Sequence, residues 1–149
     1  MVENHRISIV CASTGSGKST VLPTALFTYT LKPVICTSPT VAATIGLYDN
    51  ACRTFHGLKI GSAYGGIVDY DTDSEVTYAT AGHLKNVLAR KGMGHHKILI
   101  LDEAHTVSVD MELLVAFLQY TWKNNPDIHI LISSATMDAE MIRSWQALL

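Results

Sequence analysis

The chain has 149 residues, the size of one ordinary domain and long enough to bury a substantial core. Hydrophobic residues make up 48% and charged residues 16%, against roughly 25% charged in an average soluble domain, which excludes a disordered acidic or basic tail. The net charge of −2 is spread evenly, so no global basic field draws nucleic acid or membranes and any such binding is local.

Three cysteines cannot form a closed disulfide framework. Cys11 and Cys36 lie inside apolar runs, which predicts small buried hydrophobes in a reducing compartment, cytoplasmic or nuclear. No window approaches the ~18 apolar residues of a membrane span, and the N-terminal MVENHRIS has no signal-peptide core.

The chain reads as alternating strands and helices. Arg6 to Ala12 is short, apolar and β-branched, a buried strand, and a helix follows from Lys18 to about Leu31 with Pro23 in its early turns. Pro33 to Thr37 is the next strand, and Thr40 to about Thr54 its helix. Lys59 to Tyr64 reads as a third strand, Gly65 to Glu75 as a loop, Val76 to Ala79 as a short strand and Gly82 to Lys91 as a helix. Lys97 to Leu101 is a strongly apolar strand ending in Asp-Glu. Val109, Leu113, Phe117 and Tyr120 recur at helical spacing, which predicts an amphipathic helix from Val109 to Lys123. Ile128 to Ile132 is the last strand and Ala139 to Leu148 the last helix. Apolar strands separated by helices predict an α/β domain with a mainly parallel central sheet covered on both faces. Ligands of such sheets bind beyond the carboxyl ends of the strands, where every polar cluster below falls.

Ser13 to Thr20 reads S-T-G-S-G-K-S-T, between a strand and a helix, the context of a phosphate-binding Walker A loop. Thr14, Gly15, Ser16, Gly17, Lys18, Ser19 and Thr20 are the expected nucleotide-binding residues. The glycines let successive amides face a phosphate at the helix N-terminus. Lys18 would reach the β- and γ-phosphates, and the Ser19 hydroxyl would be a Mg²⁺ ligand. Ala12 stands where the strict pattern has glycine, and it is small enough for the turn. Asp102-Glu103-Ala104-His105 follows the apolar strand at 97–101. An acid there fits a Walker B carboxylate, with Asp102 on the metal and Glu103 free to deprotonate the attacking water.

These motifs, with S134-A-T136, occur in the order of motifs I, II and III of superfamily-two helicases. The sequence most resembles DEAH-box helicases and the viral RNA helicases of the flavivirus and hepacivirus type. Pro23 stands where these families carry proline, S38-P-T-V-A-A-T44 resembles the viral motif Ia, and T77-Y-A-T-A-G82 resembles the motif Ib region. S134-A-T-M-D-A-E140 continues as in cellular DEAH proteins, so viral and cellular sources both stay open. The resemblance spans Ala12 to Glu140 and implies a three-layer, RecA-like P-loop NTPase lobe with ATP and Mg²⁺ as cofactors. It implies that His105, Ser134 and Thr136 couple the nucleotide to the nucleic-acid site, and that Thr40, Val41 and Thr80 touch the nucleic-acid backbone. Such contacts track a single strand, RNA more than DNA, without reading its sequence.

Other features have plainer readings. His95-His96 and the remaining histidines lack structural-zinc spacing. Asp69, Asp71, Asp73 and Glu75 resemble the start of a calcium loop, but Ser74 replaces the needed glycine and a solvated acidic loop is expected. Lys85, Arg90 and Lys91 read as a charged helix end, and Trp122 and Trp145 as packing anchors. Superfamily-two helicases resemble two RecA-like lobes with ATP in the cleft between them, and the second lobe supplies arginine fingers. No second Walker-like lobe follows motif III, so this lobe by itself is expected to bind Mg-ATP weakly and to hydrolyse it slowly or not at all. The competing readings are a DNA-translocating ATPase of the same superfamily, a small-molecule kinase, which needs neither D-E-A-H nor S-A-T, and a non-catalytic nucleotide-binding module.

Overall fold

The computed structural model describes residues 6–13, 17–69, 73–92, 94–105, 108–136 and 138–148. Its strands are β1 (Ile7–Cys11), β2 (Val34–Ser38), β3 (Ile60–Tyr64), β4 (Ile67–Asp69), β5 (Val76–Thr80), β6 (Ile98–Leu101) and β7 (His129–Ser134). Its helices are α1 (Lys18–Thr30), α2 (Val41–Thr54), α3 (Ala81–Lys91), α4 (Val109–Asn124) and α5 (Ala139–Leu148). One sheet runs in the order β1-β7-β6-β2-β5-β3-β4, parallel from β1 through β3 and closed by the antiparallel edge strand β4.

Strand alternation splits the core in two. Val34, Cys36, Val76, Tyr78, Ile98, Ile100 and Leu131 face α1 and α2, where Leu22, Leu26, Phe27 and Leu47 meet them. Ile35, Leu99, Leu101, Ile130 and Ile132 face the opposite way, against Leu84 and Leu88 of α3, Leu114 and Leu118 of α4 and Trp145 of α5. The result is the three-layer α/β arrangement that the alternation of strands and helices predicts.

Two expectations are corrected, and a helix found where it is expected buries a side that its spacing does not specify. The loop predicted over 65–75 contains β4, which turns back on β3 at Gly65-Gly66. A three-residue edge strand carries too little apolar pattern to announce itself. Cys11, the last residue of the edge strand β1, is exposed and not buried. Most instructive is α4. The stripe Val109, Leu113, Phe117 and Tyr120 is 72%, 43%, 38% and 76% exposed, whereas Met111, Leu114, Val115, Leu118 and Thr121 form the buried seam. Both sets have helical period, so spacing alone fixes the helix but not which side faces the sheet.

Trp145 is buried in the core and Trp122 packs against it, with the Arg6 guanidinium 4.2 Å from the Trp122 ring centre, so both tryptophans anchor packing as expected. The acidic loop is tied down by lysine: Lys59 pairs with Asp73, and its amide donates to Glu75 Oε2 at 2.7 Å.

The two stripes of α4 separate in denaturation. Leu114→Ala is expected to lose about 2–5 kcal/mol of stability, the usual cost of a core cavity. Tyr120→Ala stays within about 0.5 kcal/mol, as surface changes do. Urea unfolding of both variants reads the difference, and equal losses would contradict the assigned seam.

Candidate functional site

The carboxyl ends of β1, β7 and β6, three neighbours in the sheet, bring the first cluster together. After β1 the chain enters the phosphate-loop segment, of which Thr14, Gly15 and Ser16 lie outside the described residues. Gly17 caps α1 with φ +78°, a left-handed conformation that disfavours any side chain, and its carbonyl accepts from the Val21 amide at 2.7 Å. Lys18, Ser19 and Thr20 form the first turn of α1, whose amides and dipole favour an anion.

Ser19 and Lys18 meet the two acids that follow β6. Asp102 is 2% exposed, and its Oδ2 accepts from the Ser19 hydroxyl while its Oδ1 accepts from the Ser133 hydroxyl at 3.0 Å. A carboxylate this buried depends on such donors. Burial, and to a lesser degree the charge of Asp102, pushes the Cys36 thiol well above the usual range. Glu103 has φ +52°, a left-handed backbone that costs about 1–2 kcal/mol for an L-residue. The turn is held by the Ala104 amide, which donates to the Ser133 carbonyl at 3.1 Å. Glu103 Oε1 lies 3.5 Å from Lys18 Nζ, and its Oε2 lies 3.2 Å from His105 Nε2. His105 Nδ1 is 2.7 Å from Ser134 Oγ, which in turn donates to the Thr136 carbonyl at 2.8 Å. A continuous polar chain therefore runs from Lys18 through Glu103, His105 and Ser134 to Thr136.

The second cluster lies farther along the same sheet edge, beyond β2 and β5. Thr40 caps α2 by accepting from the Ala43 amide at 3.1 Å, Thr80 caps α3 from the His83 amide at 3.3 Å, and Ser108 caps α4 from the Met111 amide at 3.1 Å. Val41 is exposed beside Thr40. Val41, Thr80, Ser108, Gly82, Lys85 and Asp110 line an open groove of about 390 Å³. Each capping hydroxyl accepts from an amide and keeps its own proton for a further acceptor. Lys85 Nζ is 2.7 Å from Asp110 Oδ1, so the groove's lysine already has a counter-charge. A side chain at Gly82 would come within 2.8 Å of Asp110 Oδ2, so the Asp110 carboxylate would have to turn aside to admit one.

A family model for DEAD/DEAH box helicases matches residues 1–144. The chain belongs to this family. It is 30% identical over 147 residues to the DExH-box ATP-dependent RNA helicase DExH8 of Arabidopsis thaliana, covering 95% of this chain and 14% of that protein. It is 29% identical over 150 residues to the probable ATP-dependent RNA helicase DHR2 of Saccharomyces cerevisiae, covering 93% of this chain and 20% of that protein. The crystal structure of the Escherichia coli DEAH/RHA helicase HrpB superposes with a TM-score of 0.86 at 23% identity, over 96% of this chain and 19% of that one, and so shares the fold. The chain thus spans a fifth or less of the relatives it matches.

Lys18 and Ser19, Asp102 to His105, and Ser134 to Thr136 lie together in space, whereas Ser133, Ser108 and Asp110 fall outside the motifs. Ser133 directly precedes motif III, and its partner becomes visible only once β7 is known to lie beside β6. Ser108 carries an N-cap signature, a hydroxyl residue before an acidic first turn, that was available to be read.

His83 gives the groove a pH signature. Its Nε2 is buried with no partner among the described residues. Burial lowers its pKa, opposed by a hydrogen bond to the Gly65 backbone. The folded state therefore favours neutral imidazole. Its contribution is fully present above the unfolded pKa of about 6.5 and is lost as pH falls through the lower folded value. His83→Gln is expected to remove this part of the acid-side loss, read from denaturation midpoints between pH 7.5 and 5; parallel wild-type and variant profiles would contradict it.

Proposed function

We propose that this chain is the ATP-binding lobe of a DEAH-type nucleic-acid helicase, coupling Mg-ATP hydrolysis to movement on or unwinding of RNA. The observation that carries this reading is the convergence of Lys18, Ser19, Asp102 and Glu103 at one end of three adjacent strands. The donor set fits Mg-ATP. A hydroxyl and a buried carboxylate already share one point, as two groups on a metal's coordination sphere must, and the first turn of α1 with Lys18 matches a polyphosphate.

Ser19 and Asp102 would hold the magnesium, and Lys18 would neutralise the β- and γ-phosphates. When bound, the metal offsets charge on the transferring phosphoryl group. Glu103 exchanges its contact with Lys18 for the attacking water and accepts its proton. His105, Ser134 and Thr136 carry the change at Glu103 to the end of β7. The groove supplies the Thr80 hydroxyl and the exposed start of α2 at Val41, which Thr40 caps, to a phosphodiester backbone, so binding does not need a basic surface. RNA is favoured as the strand because its relatives DExH8 and DHR2 are an RNA helicase and a probable RNA helicase. A second lobe of the parent protein would supply the arginine that completes the transition state, worth about 10³–10⁵ in rate in related systems.

Titration of a fluorescent ATP analogue with Mg²⁺ tests the site. Lys18→Ala is expected to weaken binding by about 10- to 100-fold, the loss of a charged hydrogen bond. Glu103→Gln should leave binding within about twofold while lowering any turnover by about 10²–10⁴. Unchanged binding in Lys18→Ala would refute the nucleotide site. RNA-stimulated turnover by the lobe alone, abolished by Glu103→Gln, would instead refute its dependence on a second lobe.

A further inference from the structure

We propose that Ser133 is a positioning residue for the metal site: it fixes the Asp102 carboxylate so that one oxygen is committed to the protein and the other is presented beside Ser19. The inference rests on the reading of Asp102 and Ser19 as the magnesium residues and assigns a role to a neighbour outside the family motifs.

The register dictates the contact. β6 and β7 pair in parallel with Leu101 opposite Ile132, so Asp102 and Ser133 are the next cross-strand neighbours. Ile98 and Ile100 of β6 and Leu131 of β7 face α1 and α2, and two-residue alternation carries Asp102 and Ser133 to that same face, toward Ser19 at the start of α1. Ser133 is 1% exposed, so its hydroxyl has no solvent to turn to, and it donates to Asp102 Oδ1 at 3.0 Å. Ser19 occupies Oδ2. The next residue, Ser134, faces the other way and engages His105, which contacts Glu103. Successive hydroxyls of one strand thus govern the two acids of motif II, Asp102 directly and Glu103 through His105.

An alanine at 133 leaves Oδ1 without its hydroxyl donor and frees the carboxylate to rotate about its terminal torsion. Metal affinity then falls, because outer partners of metal-binding carboxylates fix both their orientation and their basicity. Affinity for nucleotide without metal, carried by Lys18 and the first turn of α1, does not depend on that orientation.

The experiment is titration of Mg²⁺ into the chain with a fluorescent ATP analogue, beside the same analogue in EDTA, for wild type, Ser133→Ala, Ser133→Thr and Asp102→Asn. Mn²⁺ binding followed by electron paramagnetic resonance gives a second readout. Ser133→Ala is expected to raise the half-saturating Mg²⁺ concentration about 10-fold, the low end for a residue behind a metal ligand. Its metal-free affinity should change by less than about twofold, as should the Mg²⁺ midpoint of Ser133→Thr, since a second hydroxyl restores the donor. An unchanged Mg²⁺ midpoint in Ser133→Ala, with Asp102→Asn impaired, would overturn the role of Ser133 alone. Equal loss of affinity with and without metal would show a merely structural role and overturn it as well. If Asp102→Asn leaves the Mg²⁺ dependence intact, or the wild type binds no analogue, the reading of the metal site fails and the proposal with it.

Discussion

The parallel pairing of β6 with β7 is the constraint on which the nucleotide cluster depends. Leu101 beside Ile132 sets Asp102 beside Ser133, and the Ala104 amide is then in place to meet the Ser133 carbonyl. A slip of one residue would turn Asp102 away from α1 and toward the layer of α3, α4 and α5, separating it from Ser19. The apolar residues on both faces of these strands resist such a slip, because either face would lose its match to the helices covering it. Packing of the core and placement of the acids are therefore one problem with one solution.

The sheet order also divides the carboxyl edge into two districts. β1, β7 and β6 hold the acids, the lysine and the motif III hydroxyls, whereas β2 and β5 lead into α2 and α3, whose capped starts meet that of α4, which follows β6, at the groove. β6 and β2 are neighbours, and the Thr37 hydroxyl donates to the Ile100 carbonyl across their boundary at 3.2 Å. The left-handed backbone of Glu103 sits at the edge of the first district. Strain there is tolerated because Lys18, His105 and the Ala104 amide together hold the turn.

A chain of net charge −2 suits this arrangement better than its arithmetic implies. The groove concentrates the N-termini of α2, α3 and α4, three sets of aligned amides, and Lys85 is the cation lining it among the described residues. Lys85, the lysine lining it, is balanced by Asp110. Oriented dipoles of this kind do not appear in a count of side-chain charges.

Much of the fold was legible because its signals are local. Apolar runs at 97–101 and 128–132, the glycines ahead of Lys18 and the spacing of the helices are properties of short windows, and they yielded the α/β class and nearly every element. Asp102, Glu103 and Lys18 were legible for the same reason, each marked by the strand or loop beside it. Tertiary structure decided what a window cannot contain. Two stripes of α4 compete for burial, and the layer of α3 and α5 beneath the sheet selects Met111, Leu114 and Leu118 over Val109, Leu113 and Tyr120. Cys11 is exposed at the end of the edge strand β1, a place in the sheet that its apolar neighbours in sequence do not reveal. Ser133 lies 31 residues along the chain from Asp102, and their contact depends on strand order and register, both set by packing of the whole sheet. The sequence by itself determined which reactive side chains stand at the ends of the strands; the folded sheet decided which atoms meet, because proximity between distant residues is fixed by the shared core and not by spacing along the chain.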